Sequence, residues 1–244
     1  MLQDIKERRE AVLEIVISHY IDTAEPVSSR YVAKKLKVSS ATIRNVMADL
    51  EDLDLIAQPH TSAGRVPTDK GYRYYIDSLM RVRRISEHII NMIKEQYNQA
   101  MISFEDVLEK TSHLISSLTR YVGVALFPQS EKVYLDGASY IVEQPEFKDF
   151  KKLYNLLRCL EEKANILNLL DSDLDDKLII HIGKENRSSY LSECSVVTRG
   201  YRVKGVPAGR LGVIGPKRMV YEKVIPTVEI LADTVTRILG ELTV

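Results

Sequence analysis

Residues 39–54 read SSATIRNVMADLEDLD. Ser39 or Ser40 offers an N-cap, a hydroxyl able to accept from a backbone N–H of the first turn. Ile43, Met47 and Leu50 follow at steps of four and three, with Asp54 next in line and Val46 and Leu53 alongside. That spacing predicts a helix whose first three aligned positions are buried. The opposite side presents Ala41, Arg44, Asn45 and Ala48, with Thr42 at its margin. A helix facing only solvent would more usually carry Glu and Lys there. Small side chains let a helix sink into the DNA major groove, and Arg and Asn match the edges of guanine and adenine. The helix N-terminus itself favours phosphate.

The flanks agree with that use. A first helix is predicted from about Glu7 to Ile21, with Ile5, Val12, Ile15, Val16 and Tyr20 on one side. It ends ahead of Pro26, which disfavours helix in the residue before it. Ser28 or Ser29 can cap a short second helix whose inner face is Tyr31, Val32, Leu36 and Ala33. Lys37-Val38-Ser39 is then a tight connection. Two short helices, a turn and a third helix with a small, polar N-terminal half make a helix-turn-helix. A plain three-helix bundle with a polar surface is the competing reading. From Pro26 to Ala48 there are five basic residues (Arg30, Lys34, Lys35, Lys37, Arg44) and no acidic one; acids gather only at Asp49, Glu51, Asp52 and Asp54. Arg30, Lys34, Lys35 and Lys37 are the candidate phosphate contacts.

After the third helix comes QPHTSAGRVPT, Gln58 to Thr68. Leu55 to Gln58 is a strand candidate, His60 to Gly64 a turn, and Val66 the start of a return strand. Pro59 and Pro67 stiffen the two arms by fixing φ. Strand, basic tip and return strand describe a wing, with His60, Thr61, Ser62, Gly64 and Arg65 as its DNA-binding candidates and Arg65 and His60 at its end. An ordinary surface hairpin is the alternative. Thr68 caps the next helix, TDKGYRYYIDSLM.

Together, TAEPVSSRYVAKKL, SSATIRNVMADLEDLDLI and QPHTSAGRVPTDKGYRYY resemble the winged-helix part of the heat-inducible transcription repressors of the HrcA family. Three positions depart from that pattern: Ala24 where glycine is frequent, Ser40 where proline is usual, and Val46 where an acid is common. The second half is similar to the same family through VYLDGASYI, QPEF, LEEK, IGKEN, CSVV and GVIGPKRMVYEKVIP. The resemblance implies an α+β chain: a winged helix-turn-helix over residues 1–80, a helical linker over 81–119, and a GAF-like α/β sheet domain over 120–244. It implies a homodimer that represses chaperone operons (groE and dnaK) through an inverted-repeat DNA operator, and the chaperonin GroEL as a partner that keeps the repressor active. Family members carry a long segment, including a dimerising subdomain, between the strands resembling YVGVALFP and KVYLDGAS. Here only Gln129 to Glu131 separate them, which bears on the mode of dimerisation and on the completeness of the sheet.

The rest of the second half reads plainly. Arg81, Arg83 and Arg84 lead into helices with apolar stripes at Ile89, Ile90, Ile93, Tyr97 and Met101, then at Val107, Leu108, Leu114, Ile115 and Leu118. Those stripes suit intramolecular core, and part of a dimer interface as well. YVGVALF, KVYLD, KLIIHIG, SVVTRGYRV and GRLGVIGP read as strands. A helix is expected from about Gln144 to Leu170, with a break near Glu161, and a final one from about Met219 to Leu242. GVPAGRLGVIGPKR matches neither a dinucleotide fingerprint nor a phosphate loop and reads as a hairpin with a sharp strand end.

Of 244 residues, 45% are hydrophobic and 28% charged, with zero formal net charge, the composition of a folded soluble protein. No apolar run approaches a membrane span, and MLQDIKERRE lacks the apolar core of a secretory signal, so a cytoplasmic location is expected. Cys159 and Cys194 read as buried small residues. The five histidines lie far apart. No metal, no cofactor and no catalytic residues are expected. A metabolite-responsive winged-helix regulator, its sheet enclosing a small molecule, is the alternative function.

Overall fold

The computed structural model describes residues 5–61, 63–81, 84–97, 103–162, 164, 166–167, 175–186 and 188–242. The chain divides into two units, Met1–Arg81 and Val82–Val244.

In the first unit, helix α1 (Ile5–Thr23) buries Val12, Leu13, Val16, Ile17 and Ile21. Leu13 and Ile17 thus join the inner face, while Ile5, expected on it, is 64% exposed. Ala24 ends the helix in the left-handed region at φ 56°, its N–H donating to the Tyr20 carbonyl. For a residue with a Cβ that conformation costs about 1–2 kcal/mol. Ala24→Gly is therefore expected to raise stability by about 0.5–1 kcal/mol net of the unfolded-state entropy of glycine, read as a higher urea midpoint. An unchanged or lower midpoint would contradict it.

Helices α2 (Ser29–Leu36) and α3 (Ser40–Asp52) are capped by Ser28 and Ser39, whose side chains accept from Tyr31 N and Thr42 N. Lys37 makes the turn between them in the left-handed region. Helix α3 buries Ile43, Val46, Met47 and Leu50. Val46 adds to the core rather than to the surface, whereas Leu53, past the last turn, stays exposed. Strands β1 (Ile56–Ala57) and β2 (Val66–Pro67) pair antiparallel, Ile56 opposite Pro67 and Ala57 opposite Val66. Helix α4 (Asp69–Tyr74) starts on the Thr68 cap and runs into a wider π turn at Tyr75–Leu79.

The second unit is a five-stranded antiparallel sheet with helices on both faces. Its strands are β3 (Val122–Phe127), β4 (Lys132–Asp136), β5 (Leu178–Ile182), β6 (Cys194–Val203) and β7 (Val206–Pro216). Their order is β4-β3-β7-β6-β5. Strands β3 and β4 are joined directly through a 3-10 turn at Pro128–Ser130 and pair along their length, so the short connection closes the sheet instead of interrupting it. The β6–β7 hairpin turns at Lys204 and Gly205, both at positive φ, the geometry two-residue hairpins favour. Val122, Val124 and Leu126 of β3 face one core, shared with Phe147, Leu156, Cys159 and Cys194. On the other face Gly123 lies so close to helix α6 (Phe104–Thr119) that a Cβ would overlap the Ser112 carbonyl oxygen.

Helix α5 (Glu87–Tyr97) packs beside α6, where Tyr97 Oη lies 2.6 Å from Thr111 Oγ1 in the interior. Ile93, Tyr97, Val107, Leu108, Leu114 and Ile115 are buried within this unit. These six side chains serve the unit's own core; Arg83 and Met101 lie outside the described residues. A short α7 (Ser139–Val142) precedes the helix expected from Gln144, whose start is instead a 3-10 turn at Pro145–Lys148; α8 (Phe150–Glu161) then runs to the break expected near Glu161, and residues 168–170 lie outside the description. Asp149 is the reason: its side chain caps α8 by accepting from Lys152 N, resetting the helix. Helix α9 (Tyr221–Leu242) completes the unit. Both cysteines are free and buried, and burial pushes both thiols up. Among the described residues no helix is long and apolar enough to cross a membrane.

Candidate nucleic-acid interface

On α3, Ala41, Arg44, Asn45 and Ala48 are exposed along one side while Ile43, Met47 and Leu50 are buried on the other. Two hydroxyls predicted beside them are turned to folding. Ser40 Oγ lies 3.1 Å from Ser29 Oγ, linking the starts of α2 and α3. Thr42 Oγ1 lies 2.8 Å from the capping Ser39 Oγ. The exposed strip is therefore a cation, an amide and two methyls.

Arg30, Lys34, Lys35 and Lys37 are all exposed on α2 and its C-cap. Lys35 Nζ stands 5.7 Å from the centre of the Tyr31 ring, which stacks on His19 at 4.1 Å. A cation held over an aromatic face keeps its charge while losing some freedom. Two acids in the last turns of α3 have defined partners. Asp49 takes two hydrogen bonds from Arg9 of α1, at 3.1 and 2.7 Å. Glu51 pairs with Arg65 at 2.8 Å.

The wing is tight. Ala63 N donates to the His60 carbonyl, and Gln58 Nε2 donates to the carbonyls of Thr61 and Ala63 at 3.0 and 3.1 Å. His60 and Thr61 are exposed at its end, and Ser62 lies outside the described residues. Gly64 and Arg65, expected at the tip, are at the root. Arg65 bridges to Val27, each N–H donating to the other's carbonyl at 2.9 and 2.8 Å. Residue Val27, in the segment between α1 and α2, is a partner no local pattern announces. A groove of about 390 Å³ opens between the start of α2, α3 and the wing, with Ser28, Ser29, Arg44, Gln58 and Arg65 among its walls. Gln58 and the two serines were missed as wall residues; Ser28 as an N-cap was the available signal.

A basic helix pair, a third helix with a cationic and small outer strip, and a braced two-stranded wing are the parts of a winged-helix DNA reader. Two family models match the chain: the winged helix-turn-helix transcription repressor, HrcA DNA-binding, over residues 4–78, and the HrcA protein C terminal domain over residues 129–225. A heat-inducible transcription repressor HrcA from Geobacter sulfurreducens is 33% identical, with 98% of this chain and 99% of that one aligned. The chain belongs to the HrcA family.

Another HrcA repressor, from Moorella thermoacetica, is 30% identical over 97% of this chain and 98% of its own. The alignment to the Geobacter protein runs over 339 positions, more than the 244 residues here, so that relative carries residues this chain lacks. HrcA proteins are transcription repressors with a DNA-binding domain, a role without catalysis. The fold recurs in a crystal structure described as a hypothetical protein, at a TM-score of 0.81 and 19% identity, covering 96% of this chain and 98% of the other.

Proposed function

We propose that this HrcA protein represses chaperone operons, groE and dnaK, by binding as a homodimer to an inverted-repeat operator. One α3 would enter the major groove of each half-site. Arg44 and Asn45 would read base edges, Ala41 and Ala48 allow close approach, and Thr42 and Ser40 flank them. Arg30, Lys34, Lys35 and Lys37 would hold phosphates, and His60, Thr61 and Ser62 would form the wing contact. The observation that carries this is the two-sided character of α3: apolar and buried behind, small and cationic in front. Inverted-repeat DNA calls for a two-fold symmetric reader. GroEL is proposed as the partner that sustains the active form, on the strength of family membership.

The deciding experiment titrates purified protein with the inverted repeat and with a scrambled duplex at several salt concentrations. If two subunits neutralise about six to eight phosphates, log affinity falls against log salt with a slope near −5 to −7. A slope near zero, or equal affinity for both duplexes, would sink the assignment.

A further inference from the structure

The geometry points to Arg65 as a positioning residue that seats the wing on the recognition helix, not as a phosphate contact. This rests on the DNA-binding reading and narrows it. Three observations hold Arg65 in place. Its backbone exchanges two hydrogen bonds with Val27. Its neighbour Gly64 packs so closely on the same residue that a Cβ would stand 2.6 Å from both the carbon and the oxygen of the Val27 carbonyl. Its guanidinium, in a side chain only 21% exposed, meets the carboxylate of Glu51, itself in a side chain 27% exposed, at 2.8 Å. Its Nε is buried with no hydrogen-bond partner, so Glu51 is what holds the head group.

Residues proposed for phosphate look different on this surface: Arg30, Lys34 and Lys35 are exposed to solvent. Arg65 presents a neutralised pair on the wall of the groove. The pair ties α3 to the root of the wing, and so sets the separation between the exposed strip of α3 and the exposed tip at His60 and Thr61. A cation locked to a carboxylate would have to abandon a half-buried partner to reach DNA, leaving Glu51 uncompensated beside a polyanion.

Glu51→Gln separates the alternatives by sign. Removing an acid next to DNA ordinarily strengthens binding by relieving repulsion. Loss of a positioning contact weakens it. In the full chain, Glu51→Gln and Arg65→Gln are each expected to lower affinity for the inverted repeat by roughly 3- to 10-fold, with the double variant no worse than either single one, as coupled partners behave. The salt slope should stay at the wild-type value. Footprints should lose the protection given by the wing while the base protection given by α3 persists, a selective change that a smaller folded fraction cannot produce. The inference is overturned if Glu51→Gln binds as tightly as wild type or tighter. It is equally overturned if Arg65→Gln flattens the slope by about two across the dimer, the signature of two lost phosphate contacts. Wild-type protein blind to the inverted repeat would remove the DNA-binding reading and this inference with it, a result distinct from either.

Discussion

Arg44→Ala is expected to weaken operator binding by about 1–3 kcal/mol per half-site, roughly 5- to 150-fold, and to relax the base preference at one position of each. Arg44 lies in the exposed strip of α3 between Ala41 and Ala48, on a helix held from behind by Ile43, Met47 and Leu50. Removing its head group would delete the proposed donors to a base edge without disturbing that core, so affinity should fall while the melting curve stays put. Lys35→Ala should act differently. Lys35 is exposed on α2, its ammonium resting near the Tyr31 ring. Its loss should weaken all duplexes alike and make the salt slope shallower by about one per subunit. Binding to a set of single-base operator variants distinguishes the two. Identical behaviour of both substitutions would show that α3 does not carry the sequence reading.

Gly71→Ala should destabilise the protein by about 3 kcal/mol or more, against the direction that helix propensity alone suggests. Gly71 lies within α4, where alanine is normally better than glycine by about 1 kcal/mol. Here a Cβ would overlap the carbonyl oxygen of Leu55, the acceptor for Thr68 N. Backbone cannot step aside as a side-chain end can, so α4 must move off the segment leading into β1. Gly240→Ala is the control: it also lies in a helix, but nothing stands within 4 Å of an added Cβ. That change should be neutral or stabilising by a few tenths of a kcal/mol. Urea denaturation followed by circular dichroism measures both. Equal midpoints for the two variants would refute the close packing of α4 on Leu55.

Much of this fold is written in short-range pattern. The caps at Ser39 and Thr68, the buried stripe of α3, the five strands and the family likeness all follow from neighbours within a turn or a pleat. Hydrogen bonds to caps and the burial of one face act over three or four residues, so one-dimensional spacing suffices to find them. The exposed strip of α3 and the basic side of α2 were legible for the same reason: an element that buries one side must show the other.

Other features depend on residues far apart in the chain. Arg65 reads as a free cation at a loop tip until Val27, 38 positions earlier, takes its backbone and Glu51 takes its head group. Gly71 reads as a weak point in a helix until Leu55 lies against it. Asp49 and Glu51, in the last turns of α3, find their partners only when folding brings Arg9 and Arg65 to them. Each outcome is an interaction between groups that only folding brings within a few ångströms, and charge or size on its own carries no information about which partner that will be.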